Sequence, residues 1–379
     1  MHNPVERPAP PVHETQVALL AGGVRLTVGE ESLELEATWL RDSATDTESR
    51  DPVSGQRLFG ITDLPADLDV GSAAVSDGRL EVVFEPGGHR AAYDVAELLD
   101  EVRHGHRDDR NEQGKHLWRS AADLGPVTRV RWTDYLADPA PVLRSVVRDG
   151  FALLSEVPTV DGTVTAVAET FGYVRETNYG RIFDVRVEEH ATNLAFTGRA
   201  ITPHTDNPYR DPVPTLQLLH CLTNAAAGGD SGLVDGFAAA AVLRERHPAA
   251  FEILTSTPVS YRFDSADAHV SALAPMIGVD AAGSIREVRF NNRSLRVPVL
   301  PVDDARRFYA AYRMFAELLL EPEAQLDLRL APGDCLMFDN TRVLHARTAF
   351  DAVGARHLQG TYADIDGLLS TLATLELAR

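Results

Sequence analysis

The chain has 379 residues, 44% of them apolar, 24% charged and 7% aromatic, with a formal net charge of −20. That length exceeds the usual single core, so two domains are expected, and the acidic balance argues against a nucleic acid or an anionic membrane as partner, because both would repel it. No apolar run approaches the roughly 18 residues of a membrane span, and the opening Met1-His2-Asn3-Pro4-Val5-Glu6-Arg7-Pro8 lacks the basic and apolar regions of an export signal, so a cytoplasmic location is expected.

Residues 1–15 are proline-rich and polar, the composition of a disordered lead-in. Residues 24–28, 32–39 and 79–84 read as strands, and in the second Leu33, Leu35, Ala37 and Trp39 fall on one side. A helix is expected at 95–102, which makes 16–105 a small β-rich N-terminal domain. His104-Gly105-His106 through His116 is charged and loop-like, so 106–131 reads as a linker and 132–379 as the second domain. There the pattern predicts a helix over 141–148 stopped at Gly150, a strand over 151–154 and a helix over 164–171. A strand over 215–222, helices over 237–244 and 249–254, a long helix over 303–320 and short strands over 328–361 complete it. Strands flanking helical insertions suit a mainly β fold, a double-stranded β-helix (jelly-roll) core. Cys221 and Cys335 each sit in an apolar run and are expected as buried free thiols, since two separated cysteines build neither a disulfide framework nor a thiolate zinc site.

Within those strands His204-Thr205-Asp206 is followed by His345 and then by Arg356. On an extended segment, residues two apart point the same way, and Asn207-Pro208 favours a turn, which places His204 and Asp206 at a strand end facing a cavity. His345 is expected at a sheet edge. Two imidazoles and one carboxylate fill one face of an octahedral ion and leave the other open, the ligand set of a non-haem Fe(II) oxygenase. A downstream arginine supplies a bidentate clamp for the far carboxylate of 2-oxoglutarate. Each element alone has an ordinary explanation, as a core histidine or a surface arginine; their order and spacing together carry the reading.

The segments Pro203-His204-Thr205-Asp206-Asn207-Pro208, Gly228-Gly229-Asp230-Ser231, Val234-Asp235-Gly236-Phe237, Phe290-Asn291-Asn292, Phe338-Asp339-Asn340 and Arg356-His357-Leu358 resemble the γ-butyrobetaine hydroxylase group of taurine-dioxygenase-like oxygenases. Trp39-Leu40-Arg41-Asp42 and Arg50-Asp51-Pro52 match the N-terminal domain of that group. The resemblance implies Fe(II) held by His204, Asp206 and His345, with 2-oxoglutarate on Arg356 and Ser231 and O2 as oxidant. Succinate and CO2 leave as co-products, and ascorbate assists turnover. It also implies a homodimer acting on a small zwitterion, with a trimethylammonium group held by rings at Tyr179, Phe183, Phe196 and Tyr362. Ring faces suit a cation that cannot donate hydrogen bonds. Asn193 and Asn292 are the candidates for the anionic end. Because Asp206 is retained, the small residue that makes room for halide in a halogenase is absent, and halogenation is not expected.

Two departures matter. The family's zinc-binding cysteines correspond to Ala44, Asp46 and Ser49, with His89 the remaining ligand, so zinc is not expected and His89 is expected as a spectator. Phe183 and Phe196 stand where related enzymes carry Trp or Tyr, and phenylalanine is the weaker face for a cation. The alternative is the same chemistry on a related zwitterion such as a trimethylammonio-phosphonate, with Arg175, Arg181, Arg199 or Arg293 meeting the extra charge. Desaturation or rearrangement in natural-product biosynthesis would use the same scaffold. A non-catalytic jelly-roll binding protein is the reading from another class; loss of His204, Asp206, His345 or Arg356 would have favoured it, and all four are present.

Overall fold

The computed structural model describes residues 15–104, 110–186, 199–350 and 355–378, and the chain divides into two compact units, Met1–Arg107 and Asp108–Arg379. In the smaller unit β1 (Thr15–Leu20), β2 (Gly23–Val28) and β3 (Glu31–Glu36) form one antiparallel sheet, and β4 (Asp69–Ser76), β5 (Arg79–Glu85) and β6 (Arg90–Asp94) a second. Alternation along β2 and β5 buries Val24, Leu26, Leu80, Val82 and Phe84 in one core with Leu98 and Leu99 of α2 (Val95–His104); α1 lies between the two sheets in sequence (Ala37–Ser43).

The strand expected over 32–39 ends at Glu36. Its carboxylate accepts a hydrogen bond from the Trp39 N–H at 2.7 Å and caps α1, whose Ala37 and Leu40 then reach the core. Apolar residues at 33, 35, 37 and 40 are met as well by a short strand running into a helix, so alternation alone misplaces the boundary. His89, expected as a spectator, is tied in. Its Nε2 lies 3.1 Å from Asp46 Oδ2 and its Nδ1 3.4 Å from Glu48 Oε2. The buried Ser49 hydroxyl donates to Asp46 and accepts from Arg41, both at 2.8 Å.

The larger unit begins with α3 (Ala121–Leu124), β7 (Arg129–Arg131), α4 (Trp132–Ala137), α5 (Ala140–Asp149), β8 (Phe151–Ser155), α6 (Thr163–Ala168), β9 (Phe183–Arg186) and β10 (Ile201–His204). It continues through β11 (Leu216–Asn224), β12 (Ser231–Asp235), α7 (Gly236–Arg246), α8 (Pro248–Ser256), β13 (Val259–Asp264), β14 (His269–Ala274), β15 (Ile277–Val279), β16 (Ile285–Val288) and β17 (Leu295–Arg296). It closes with α9 (Val302–Leu319), β18 (Leu326–Leu328), β19 (Cys335–Asp339), β20 (Val343–Arg347), β21 (Arg356–Ala363) and α10 (Ile365–Leu377).

Two of its sheets frame the site, a six-stranded one in the order β7-β8-β19-β11-β21-β9 and a four-stranded one in the order β10-β20-β12-β18. Leu219, Leu336, Phe338 and Leu358 of the first share a core with Leu233, Leu326 and Val343 of the second. On β11 and β19 the alternate residues Leu216, Leu218, Cys335 and Met337 turn the other way, onto α5, α6 and α10. A further core joins α7, α8 and α9 to β13, β15 and β16. Cys221 and Cys335 are both buried and free. No helix among the described residues is long and apolar enough to cross a membrane.

The described part of the stretch read as a linker packs on this unit. Trp118 is buried with its Nε1 donating to Asp149 O at 2.8 Å, and Glu112 grips Arg244 through hydrogen bonds of 2.6 and 2.9 Å. An indole that hides its area while its N–H finds a carbonyl belongs inside, whatever the loop-like composition around it. The Val234-Asp235-Gly236-Phe237 segment is structural too. Asp235 caps α7 through the Phe237 and Ala238 N–H groups, and meets the fully buried Arg342 at 3.1 and 2.7 Å.

Candidate active site

β10 pairs antiparallel with β20, and the register sets His204 opposite His345. β20 lies between β10 and β12, so His345 is held inside the sheet and not at its edge as expected. The two rings stand 4.2 Å apart centre to centre. Asp206 follows just beyond β10. Asn207 there takes φ +50°, a left-handed turn conformation that asparagine tolerates, and this turns the chain after the carboxylate. His204 Nε2 lies 3.3 Å and His345 Nε2 3.8 Å from the Asp206 carboxylate, so three ligand atoms converge.

The surrounding bonds fix which atoms are offered. His204 Nδ1 lies 2.9 Å from Thr202 O, which makes it the protonated nitrogen and leaves the Nε2 lone pair free. Gln217 Nε2 and the Tyr362 hydroxyl donate to Asp206 Oδ2 at 2.9 and 3.0 Å, leaving Oδ1 for a metal. Asn340 anchors the backbone: its side chain accepts from Asp206 N–H at 2.9 Å and donates to Asp206 O at 3.0 Å and Pro214 O at 2.9 Å. Thr205 is locked to Phe290 through N–H to O at 2.8 Å.

The electrostatics agree with this division. Burial works to raise the Asp206 carboxyl, yet His345, His204 and Arg293 outweigh it and hold the group far below the usual carboxylate range. Burial, helped by neighbouring His204, pushes the His345 imidazole down to about 3, so it stays neutral with its lone pair available. Burial and the Asp206 charge push the Tyr362 phenol well up, which keeps it a donor. Two imidazoles and one ionised carboxylate are the donor chemistry that Fe(II) takes in a facial arrangement.

These residues open onto a cavity of about 430 Å³. Arg356, at the start of β21, lies in its wall. It is buried, with Nη2 donating to Gly229 O at 3.1 Å and with Nε and Nη1 lacking any hydrogen-bond partner. A buried guanidinium left partly unsatisfied is costly unless an anion takes the free N–H groups, and its planar fork matches a carboxylate. Gly229 is required beside it, since a Cβ there would meet Arg356 Nε at 2.9 Å. The buried Ser231 lines the same cavity. These residues fit the 5-carboxylate of 2-oxoglutarate.

Among the described residues five aromatic rings also line the cavity. Phe183 stacks on Tyr362 at 5.0 Å, over Gly360, where any Cβ would strike the Phe183 ring at 2.2 Å. Tyr209 stacks on Phe263 at 5.1 Å, Tyr179 tilts against Phe263 at 5.8 Å, and the two tyrosine hydroxyls lie 3.2 Å apart. Of the sequence-derived candidates, His204, Asp206, His345, Arg356, Ser231, Tyr179, Phe183 and Tyr362 thus share one cavity. Asn292 does not: it faces solvent, and the preceding Asn291 is the buried residue that lines the wall. Asn193 and Phe196 lie outside the described residues. Arg293, one of four arginines offered for an extra substrate charge, does line the cavity, whereas Gln217, Tyr209, Asn340 and Phe263 went unrecognised. Tyr209 and Asn340 sit in or beside segments already singled out, whereas Phe263 arrives on the β13–β14 hairpin, remote in sequence from every motif.

The sequence matches the family model described as taurine catabolism dioxygenase TauD, TfdA family over residues 94–362. It is 37% identical to the gamma-butyrobetaine dioxygenase of Pseudomonas sp. (strain AK-1), an alignment covering 95% of each chain. It is 27% identical to the trimethyllysine dioxygenase of Meyerozyma guilliermondii over 93% of this chain and 92% of that one. With the gamma-butyrobetaine dioxygenase of Homo sapiens it shares 34% identity over 62% of each.

Proposed function

The chain belongs to the taurine catabolism dioxygenase TauD, TfdA family, and we propose that it hydroxylates a small quaternary-ammonium acid of the γ-butyrobetaine type. Fe(II), 2-oxoglutarate and O2 are its co-reactants, and succinate and CO2 its co-products. The observation that carries this substrate class is the cluster of five rings lining the cavity that also holds His204, Asp206 and His345. A trimethylammonium group offers no hydrogen-bond donor, and ring quadrupoles attract it.

In this reading His204, Asp206 and His345 hold the iron, while Arg356 and Ser231 hold the co-substrate's far carboxylate. Bound iron would supply the activation of O2, one oxygen atom of which enters succinate as 2-oxoglutarate loses CO2 while the other converts a substrate C–H to C–OH. The chain's own part is placement. Gln217 and Tyr362 fix the carboxylate of Asp206, Asn340 fixes its backbone, and the aromatic walls keep water from the reacting carbon. Tyr179, Phe183 and Tyr362, joined by Tyr209 and Phe263, orient the cation. The two facing sheets are the core of a double-stranded β-helix. A β-rich N-terminal domain, assembly as a homodimer and a cytoplasmic location belong to the same proposal.

The test is succinate formation with Fe(II), 2-oxoglutarate, O2 and ascorbate across trimethylammonium acids and phosphonates. Stimulation by γ-butyrobetaine is the expected result. Stimulation by another member alone reassigns the substrate, and silence across the panel rejects the quaternary-ammonium reading.

A further inference from the structure

Among the described residues four arginines line the cavity, Arg262, Arg293, Arg347 and Arg356. Arg356 is accounted for above. Arg262 Nε is paired with Asp264 Oδ2 at 2.6 Å, and Arg347 donates to Arg199 O at 2.9 Å while lying over the Phe350 ring. Arg293 differs: among the described residues its guanidinium has no hydrogen bond or ion pair, and the charge it faces is Asp206. The other arginines that sequence offered for a substrate anion are elsewhere. Arg175 is held by Asp364 and by two backbone carbonyls, and Arg181 by Glu169; neither lines the cavity.

The backbone that presents Arg293 is fastened to the metal strand. Asn291 accepts from Arg293 N–H at 3.1 Å and donates to Thr205 O at 3.0 Å, and Ser294 O accepts from Arg262 N–H at 2.9 Å. A second observation points to a ligand. The hydroxyl of Ser294, which can donate to an oxyanion, is buried without a hydrogen-bond partner and lines this cavity. Buried polar atoms left open in a cavity wall are costly until something polar meets them.

Resting on the quaternary-ammonium reading, we infer that Arg293, with the Ser294 hydroxyl beside it, is the subsite for the anionic end of the substrate. The two ends are sorted by charge. A trimethylammonium group is attracted to the ring faces and repelled by the guanidinium, and a carboxylate or other oxyanion is drawn to the guanidinium. A zwitterion satisfies both ends and its carbon chain spans between them, past the iron ligands. A simple amine leaves Arg293 unmet and a simple acid leaves the rings unmet. Arg293 is thus a specificity-determining residue that sets which carbon is presented.

The test compares γ-butyrobetaine with its methyl ester, which keeps the cation and removes the anion, by calorimetry on anaerobic Fe(II)- and 2-oxoglutarate-loaded protein. Wild type is expected to bind the acid roughly tenfold or more tighter than the ester, the worth of a charge-assisted hydrogen bond. Arg293→Gln should collapse that ratio towards unity by weakening the acid alone, and Arg293→Lys should restore part of it. An unchanged melting temperature and 2-oxoglutarate Kd in both variants separate this effect from misfolding. Wild type that binds acid and ester alike, or Arg293→Gln that keeps the preference, overturns the Arg293 assignment and leaves the cation reading standing. Wild type that binds neither overturns both.

Discussion

His89 in the smaller unit and His204 in the larger each stand beside a carboxylate, at 3.1 Å from Asp46 and 3.3 Å from Asp206. The two clusters differ in what their atoms have left to give. At His204 Nδ1 is occupied by Thr202 O, and Gln217 and Tyr362 engage one oxygen of Asp206, so one imidazole nitrogen and one carboxylate oxygen remain, turned towards a cavity. At His89 both nitrogens face acidic partners, Asp46 and Glu48, and the Ser49 hydroxyl and the Glu48 and Ser49 N–H groups also engage Asp46. Similar residue types thus make a donor set turned towards a cavity in one place and a partly exposed polar crosslink in the other, although Asp46, Glu48 and His89 also bring three potential ligand atoms together. What separates them is the neighbouring bonds.

The largest effect should come from opening the first cluster. His345→Ala removes one of three ligand atoms and should reduce substrate-stimulated succinate formation to background; full activity in that variant would reject the triad. Chelation of wild type should do the same, and Fe(II) should restore it. Next, Asp235→Ala leaves Arg342 charged and buried without its partner, which costs about 3–5 kcal/mol of stability, read by urea denaturation of the full chain. Arg356→Ala should raise the 2-oxoglutarate KM by about 10–100-fold, since two charge-assisted hydrogen bonds are lost while the metal ligands stay in place. Tyr362→Phe removes one of the two donors to Asp206 Oδ2, and Fe(II) affinity should fall by roughly tenfold, measured as the Fe(II) concentration for half activity.

The contrast explains what was legible. The candidate metal ligands and the cavity arginine are legible because each sits on or just beyond a strand, His204 and Asp206 at the end of β10 and His345 and Arg356 on the consecutive strands β20 and β21, which belong to the two facing sheets. The bonds that decide their chemistry join distant segments. Asn340 reaches Asp206 across 134 positions, and Tyr362 across 156. Phe263 enters on a hairpin whose alternation is that of any half-buried strand. Asn292 shows the same limit in reverse. The Phe290-Asn291-Asn292 segment was recognisable, but which asparagine turns inward depends on Thr205 O receiving the Asn291 amide. His89 was misjudged because loss of cysteines says nothing of what the replacing residues bond to.

The smallest effect, and the one that sharpens the comparison most, concerns Asp46. Burial works to raise its carboxyl, but hydrogen bonds from Ser49, His89 and the Glu48 N–H prevail and hold it below the ordinary range. A carboxyl with a depressed folded pKa binds fewer protons folded than unfolded, so its contribution is complete above the unfolded value of about 3.9 and is lost as pH falls through the folded value. Peptide-resolved hydrogen exchange on the full chain should therefore show residues 37–49 and 80–93 losing protection below about pH 4. Asp46→Asn, which has no carboxyl to protonate, should start less protected at pH 7 and change less on acidification. His89→Ala should cost about 1 kcal/mol there and leave the Fe(II) and 2-oxoglutarate requirements unmoved. If His89→Ala instead altered the iron requirement, the two clusters would be coupled, and the crosslink would be more than structural.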